Sequence, residues 1–218
     1  MDLQLKRKKA LVTGSTAGIG FAIARGLAAE GASVIVNGRT EKRVDAAVSE
    51  IRKTHPGADV SRVAADVSNR EGCAKLIEAV GELDVLINNM GIFEPKPFEK
   101  ISDEDWMRFF EANVMSGVRL SRHYLPGMRE KNWGRIIFIS SESAVQIPAE
   151  MIHYGMTKTA QVAVARGLSE TVITLVSSFL VNISTASGGL DIPSAPTQRP
   201  VAVDFTRCKT DETDSLRR

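Results

Sequence analysis

The chain has 218 residues, 43% hydrophobic and 25% charged, with 28 Lys and Arg against 26 Asp and Glu for a formal net charge of +2. This is the balance of an ordinary globular domain with one core of useful size, and it excludes a disordered or strongly basic chain. There is no basic stripe interleaved with aromatics, no apolar run of membrane-spanning length and no secretory leader pattern, so neither nucleic acid nor membrane is expected as a partner. The two cysteines form no CxxC pair and the three histidines stand at no ligand spacing. A cytoplasmic chain without a metal site is therefore expected.

In chain order, residues 9–13 read as a short buried strand. From Ile19 onward, Ala22, Ile23 and Leu27 recur at helical spacing, and Gly31 ends that helix. Residues 33–36 make a second strand. Thr40 is placed to cap the next helix, whose core face is Val44, Ala47, Val48 and Ile51 and which stops at His55-Pro56-Gly57. Residues 60–65 make a third strand. Ser68-Asn69-Arg70-Glu71 has the form of a capping box, with Cys73, Leu76, Ile77 and Val80 on one face behind it. A fourth strand over 83–87 is followed by a loop marked by Pro95 and Pro97. Ser102 caps a long helix through Trp106, Phe109, Phe110, Val114 and Leu120, with Pro126-Gly127 at or near its end. A fifth strand over 135–139 and a helix over about 153–170 complete the alternation. Strands that are continuous apolar runs, alternating with helices, predict an α/β fold: a doubly wound parallel sheet covered on both faces.

The first strand and first helix are joined by Thr13-Gly14-Ser15-Thr16-Ala17-Gly18-Ile19-Gly20. Glycines there permit a tight turn, close approach of a phosphate to the backbone, and close helix–strand packing. The helix start behind them offers free N–H groups to a pyrophosphate. A glycine cluster alone is weak evidence; its place in the first βα unit is what gives it meaning. Gly14, Ser15, Thr16, Gly18, Ile19 and Gly20 are thus candidate cofactor contacts. At the end of the second strand, a carboxylate would accept from the ribose 2′-OH of NAD. This chain has Asn37-Gly38-Arg39 instead, so Arg39 favours the 2′-phosphate of NADP, with NAD as the alternative and a plain surface charge as the bland reading. Asp66 follows the third strand, placed for the adenine amino group or for a turn or cap.

Tyr154 and Lys158 stand four apart on a predicted helix and share a face. A tyrosine working near neutrality needs its pKa lowered by roughly 3 units, about 4 kcal/mol, and a neighbouring ammonium supplies part of that. This pair joins the glycine loop, Asp66-Val67, Asn88-Asn89-Met90-Gly91, Asn113 and Ile139-Ser140-Ser141, in order. Over about residues 5–170 the chain resembles the short-chain dehydrogenase/reductase family, and in particular its 3-oxoacyl-carrier-protein-reductase-like members.

The resemblance implies a Rossmann fold and a carbonyl/secondary-alcohol oxidoreductase. Tyr154 is then the acid/base, Lys158 lowers its pKa and holds the nicotinamide ribose, and Ser141 bonds the substrate oxygen. Asn113 would hold a water in a proton relay to Lys158. Asp66, Val67, Asn89 and Gly91 would lie beside the adenosine and ribose. Met90 stands where alanine is usual and is expected to perturb that loop mildly. The spacing to Tyr154 favours Ser141 over Ser140. His153 carries no fixed role and is expected at a surface or pocket rim. Family members commonly pair their long helices as homodimers or homotetramers; the aromatic face of Trp106, Phe109 and Phe110 fits that or ordinary core packing.

After Glu170 the family pattern is expected to stop. Residues 171–183 form a β-branched run suited to one strand, and residues 184–218 carry Ser-Gly-Gly, Pro193, Pro196 and Pro200 and read as an irregular, disordered tail. The expected organisation is a domain over 1–183 and a tail over 184–218, with the C-terminal strands altered or missing by truncation, splicing or frameshift. The alternatives carried forward are a nucleotide-binding chain with little or no catalysis, and a dead fold serving as an interaction protein.

Overall fold

A computed structural model describes residues 3–171 and 176–179. Its centre is a six-stranded sheet in the order β3-β2-β1-β4-β5-β6. The strands are β1 (Lys9–Val12), β2 (Ser33–Gly38), β3 (Val60–Ala64), β4 (Val85–Asn88), β5 (Arg135–Ile139) and β6 (Val176–Phe179). Every pairing is parallel. The doubly wound expectation holds, and within the run expected to form one strand, Val176–Phe179 pairs with β5 from Ile136 to Ile139. The tail expected over 184–218 lies outside the described residues.

The helices are α1 (Gly18–Ala29), α2 (Glu41–Thr54), α3 (Arg70–Val80), α4 (Asp103–Phe110), α5 (Ser116–Glu130) and α6 (Ile152–Thr171). They divide the core in two. One layer packs Leu11, Leu86, Ile136 and Phe138 of the sheet against Leu76, Leu120 and Met128. The other packs Val12, Val34, Val36 and Ile87 against Ala24, Ala28, Val44 and Ile51. Leu11, Leu86, Leu120 and Ile136 are fully buried, and each such side chain contributes about 1.5–3 kcal/mol relative to exposure.

Several local expectations are corrected. The buried face of α1 is Gly20, Ala24 and Ala28, while Ala22 is exposed and Ile23 and Leu27 are half-buried. Small residues win that face because the helix start lies hard against the glycine loop. The cap of α3 is Asn69, whose side chain accepts from Gly72 N, not Ser68. Thr40 caps α2 by position but makes no side-chain cap bond. The long helix is interrupted: a π-turn over Glu111–Met115 separates α4 from α5, while Pro126 lies near the end of α5 as expected.

Trp106 and Phe109 of the aromatic face pack against His153. His153 is fully enclosed, its ring 4.1 Å from Phe109 and 6.0 Å from Trp106. The histidine expected at the rim is therefore a core residue, and α4 is locked onto the start of α6.

The strand order reverses between β1 and β4. The loops that leave their C-terminal ends diverge there and open a crevice, the place where open α/β sheets take ligands.

Candidate active site

At the end of β1 the chain turns through Gly14, with φ at +61°, a conformation that side chains with a Cβ rarely adopt. The loop is then tied inward. Ser15 Oγ donates to Val12 O (2.7 Å) and accepts from Asn37 N (2.9 Å), and Ser15 N donates to Asn37 O (2.8 Å). Asn37, at the end of β2, is itself buried; its Oδ1 accepts from Gly14 N and its Nδ2 donates to Val63 O and Ala65 O. Asn37 thus clamps β1, β2 and β3 together at the crevice floor. The expectation for Ser15 is revised accordingly: its hydroxyl and N–H are consumed inside the loop.

The crevice itself is a cleft of about 240 Å³. Its walls include Gly14 and Thr16, Gly38 and Arg39, Asp66 and Val67, and Asn89, Met90 and Gly91. Of the loop residues expected at the cofactor, Gly14 and Thr16 line it directly. Gly18, Ile19 and Gly20 lie behind, where they open α1. A Cβ on Gly20 would come within 2.6 Å of the Gly14 carbonyl and closer still to the Asn89 amide, so this glycine allows the close approach of helix to loop. Ala17 caps α1 without a side-chain bond, so no cap side chain occupies the first-turn N–H groups.

Two other walls are held by polar side chains. Thr13 Oγ1 accepts from Asn89 N and Met90 N, both at 2.9 Å, and Asn89 Nδ2 donates to Thr13 O. Met90 also packs against the core. Asp66 Oδ1 accepts from Ser68 N at 3.1 Å, so it closes a turn while lining the cleft. Arg43, in the first turn of α2, joins Arg39 on the cleft wall. It was not among the expected contacts; its place four residues after Arg39, at a helix start, is the signal that pairs them.

Beyond Gly91 lies a second cluster. A Cβ on Gly91 would sit 3.5 Å from Lys158 Nζ and 3.6 Å from Asn113 Oδ1, which measures how near the cleft comes to it. Asn113 is in the π-turn, fully buried, bound through Oδ1 to Ile92 N (2.7 Å) and through Nδ2 to Ile92 O and Thr157 Oγ1. Such a widened turn often marks a functional position. Ser141 follows β5 and accepts from Ser143 N at 3.1 Å, and its hydroxyl acts to lower the pKa of the Tyr154 phenol. Ser140 points inward and donates to Lys158 O, which leaves Ser141 as the serine beside the tyrosine.

Lys158 is 5% exposed. It donates from Nζ to Ile139 O (2.9 Å) and Gln161 Oε1 (3.0 Å), and the ammonium is 5.7 Å from the centre of the Tyr154 ring. Burial pulls its pKa down to about 8. The Tyr154 phenol is pushed up by its own burial, with the Ser141 hydroxyl opposing. Lys158 does not figure among the influences on the phenol, and burial dominates. Gln161 was also not foreseen. Its signal is the i, i+4, i+7 spacing of Tyr154, Lys158 and Gln161 along α6, a polar line on a buried helix face.

Among the described residues there is no cluster that could hold a metal ion, and no helix long and apolar enough to cross a membrane.

The family model described as short chain dehydrogenase matches residues 8–184, past residue 170 where the resemblance was expected to stop. The uncharacterized oxidoreductase YvaG of Bacillus subtilis is 52% identical over 170 residues, covering 78% of this chain and 64% of that relative. The L-sorbose reductase of Gluconobacter frateurii, solved with NADPH and L-sorbose, superposes with a TM-score of 0.76 at 37% identity, over 79% of this chain and 67% of that one. A 3-oxoacyl (acyl-carrier-protein) reductase from Agrobacterium tumefaciens with NADP bound gives 0.77 at 28% identity, over 82% and 70%. The chain spans just under two thirds of the YvaG length. With its fold, its glycine-lined crevice and the family match in agreement, the chain belongs to the short chain dehydrogenase family.

Proposed function

We propose that the chain is an NADP(H)-dependent oxidoreductase that interconverts a carbonyl and a secondary alcohol, with Tyr154 as acid and base. One observation carries the reading: Ser141 and Lys158 flank Tyr154 at the Gly91 end of a glycine-lined cleft.

The cleft fits a dinucleotide. Gly14 and Gly91 line it without side chains, and Gly18 has open space around it. First-turn N–H groups of α1 suit a pyrophosphate. Arg39 and Arg43 supply two guanidinium groups beside the end of β2, where no carboxylate stands. That arrangement supports a 2′-phosphate, hence NADP ahead of NAD; both structural relatives described above were solved with that cofactor. The bound cofactor would supply or accept the hydride.

The residues of this chain then act around it. Tyr154 donates its proton to the carbonyl oxygen in reduction and takes it back in oxidation. Ser141 donates a hydrogen bond to the same oxygen as charge develops there. Lys158 holds the nicotinamide ribose and, once drawn toward the phenol, favours its ionised form. Asn113 fixes the Ile92 backbone and Thr157 around these groups. A small carbonyl or alcohol is the substrate, in a cytoplasmic setting. Pairing of α5 and α6 between copies gives a homodimer or homotetramer, which sedimentation of the purified chain would read directly.

The test is a fluorescence titration with NADPH and NADH, followed by turnover with L-sorbose and ethyl acetoacetate as probe carbonyls. NADPH is expected to bind more tightly. Tyr154→Phe is expected to keep NADPH binding within a few-fold while turnover falls by about 10²–10⁴. Binding without turnover by the unaltered chain would favour a nucleotide-binding protein with little catalysis, and no binding of either nucleotide to the folded chain would overturn the assignment.

A further inference from the structure

Lys158 carries a charge into the interior with no carboxylate to meet it among the described residues. Burial is the one influence on its titration among the described residues. From α6 itself it is faced by Tyr154 and Gln161, from the end of β5 by the Ile139 carbonyl, and from the loop after β4 by Gly91. An ammonium in such a place depends on neutral acceptors, since an unmet buried charge is costly.

Gln161 provides one of them, and both ends of its carboxamide are used. It is 1% exposed. Its Oε1 accepts from Lys158 Nζ at 3.0 Å, and its Nε2 donates to the main-chain carbonyl of Asn113. The π-turn over Glu111–Met115 departs from regular helix there, as the bond from Ser116 N to Glu111 O shows, and the Asn113 carbonyl takes a partner from a different helix. The amide orientation is fixed by this pairing, because only oxygen can accept from the ammonium and only nitrogen can donate to the carbonyl.

We propose that Gln161 is a positioning residue of the active site, a carboxamide strut that joins Lys158 to the Asn113 carbonyl and holds the ammonium between β5 and the widened turn. The proposal rests on the reading of Lys158 as partner of the ribose and of Tyr154. It adds a direct side-chain connection between the Asn113 carbonyl and Lys158. The strut also resists movement of the ammonium toward the phenol, so Lys158 reaches Tyr154 only when other acceptors at the cleft compete with Gln161.

The test titrates Lys158 directly, by NMR of isotope-labelled lysine side chains in the full chain, with the resonance assigned by its loss in Lys158→Met. In Gln161→Leu the ammonium loses a neutral acceptor, and its midpoint is expected to fall by about one unit, tenfold in the protonation equilibrium. In Gln161→Glu a carboxylate replaces that acceptor, and the midpoint is expected to rise by at least as much. Opposite shifts from two substitutions of similar size separate a strut from mere packing. A midpoint in Gln161→Glu equal to or below that of the unaltered chain overturns the proposal, whether or not the leucine variant folds. An unchanged midpoint in folded Gln161→Leu overturns it equally. NADPH titration of the unaltered chain is run alongside: its failure sinks the functional reading, while the lysine titration still decides on the strut.

Discussion

Arg39 and Arg43 are exposed guanidinium groups on the wall of the cleft, and their contribution is testable one residue at a time. Each charge-assisted contact with a 2′-phosphate is worth about 1.5 kcal/mol or more, so Arg39→Ala and Arg43→Ala should each weaken NADPH binding about tenfold. NADH, which lacks that phosphate, should bind the variants as it binds the unaltered chain. Equal losses for both nucleotides, read by fluorescence titration, would place the arginines elsewhere in recognition. Asn37 belongs to the same scale. Read along the chain it is simply the residue that occupies the place of a carboxylate. Its role as a clamp for three strands depends on Gly14, Val63 and Ala65 being its neighbours, which no local pattern states.

At the scale of elements, α4 and α6 are joined by an unusual contact. Both ring nitrogens of the enclosed His153 lack a hydrogen-bond partner among the described residues. Desolvation holds its pKa below the ordinary 6.5, with Arg108 and Lys96 adding to the effect and Asp105 and Glu94 opposing it. The protonated form is thus favoured in the unfolded chain more than in the folded one. The associated stability is fully present above about pH 6.5 and is lost as pH falls below that value, where the unfolded state binds the extra proton. Urea unfolding should therefore show stability dropping from pH 7 to pH 5. In His153→Leu that slope should shrink, with stability at pH 7 within about 1–2 kcal/mol of the original, since no hydrogen bond is lost and some ring packing is. An unchanged slope would assign the acid loss to other groups. Asp105 is the companion case: bonds from Lys96 and Arg108 hold its carboxyl down to about 2, which anchors the loop after β4 to α4.

For the whole molecule, the crevice is assembled from the ends of β1, β2, β3 and β4, so a ligand seated there bridges elements remote in sequence. Anything that binds the folded form alone stabilises it by mass action, by about 2.7 kcal/mol at a ligand concentration of one hundred times Kd. NADPH at that excess should raise the unfolding free energy by about this amount. At the same concentration NADH should raise it less. In the double variant Arg39→Ala with Arg43→Ala the difference between the two should vanish. A thermal shift with NADPH no larger than that of the buffer would argue against a nucleotide seated across these strands. The positions of α4 and α5 follow the same logic of assembly: the π-turn between them exists where Asn113 is drawn into the site by Ile92 and Thr157.

The sequence by itself determined the alternation of apolar strands with amphipathic helices, the glycine loop after the first strand, and the Tyr154–Lys158 spacing with Ser141 thirteen residues upstream. These are local signals: periodicity and backbone freedom are written in neighbouring residues. Only the tertiary structure decided that Ser15 faces inward, that His153 is core, that Asn69 and not Ser68 caps α3, and that a π-turn divides the long helix. The tertiary structure alone likewise brought Arg43 to the cleft and put Gln161 between Lys158 and Asn113. Each of those outcomes turns on a partner some 20 to 75 residues away or on competition between adjacent polar groups for one backbone donor. Such choices are settled by which buried donors and acceptors can be satisfied together once the sheet has closed.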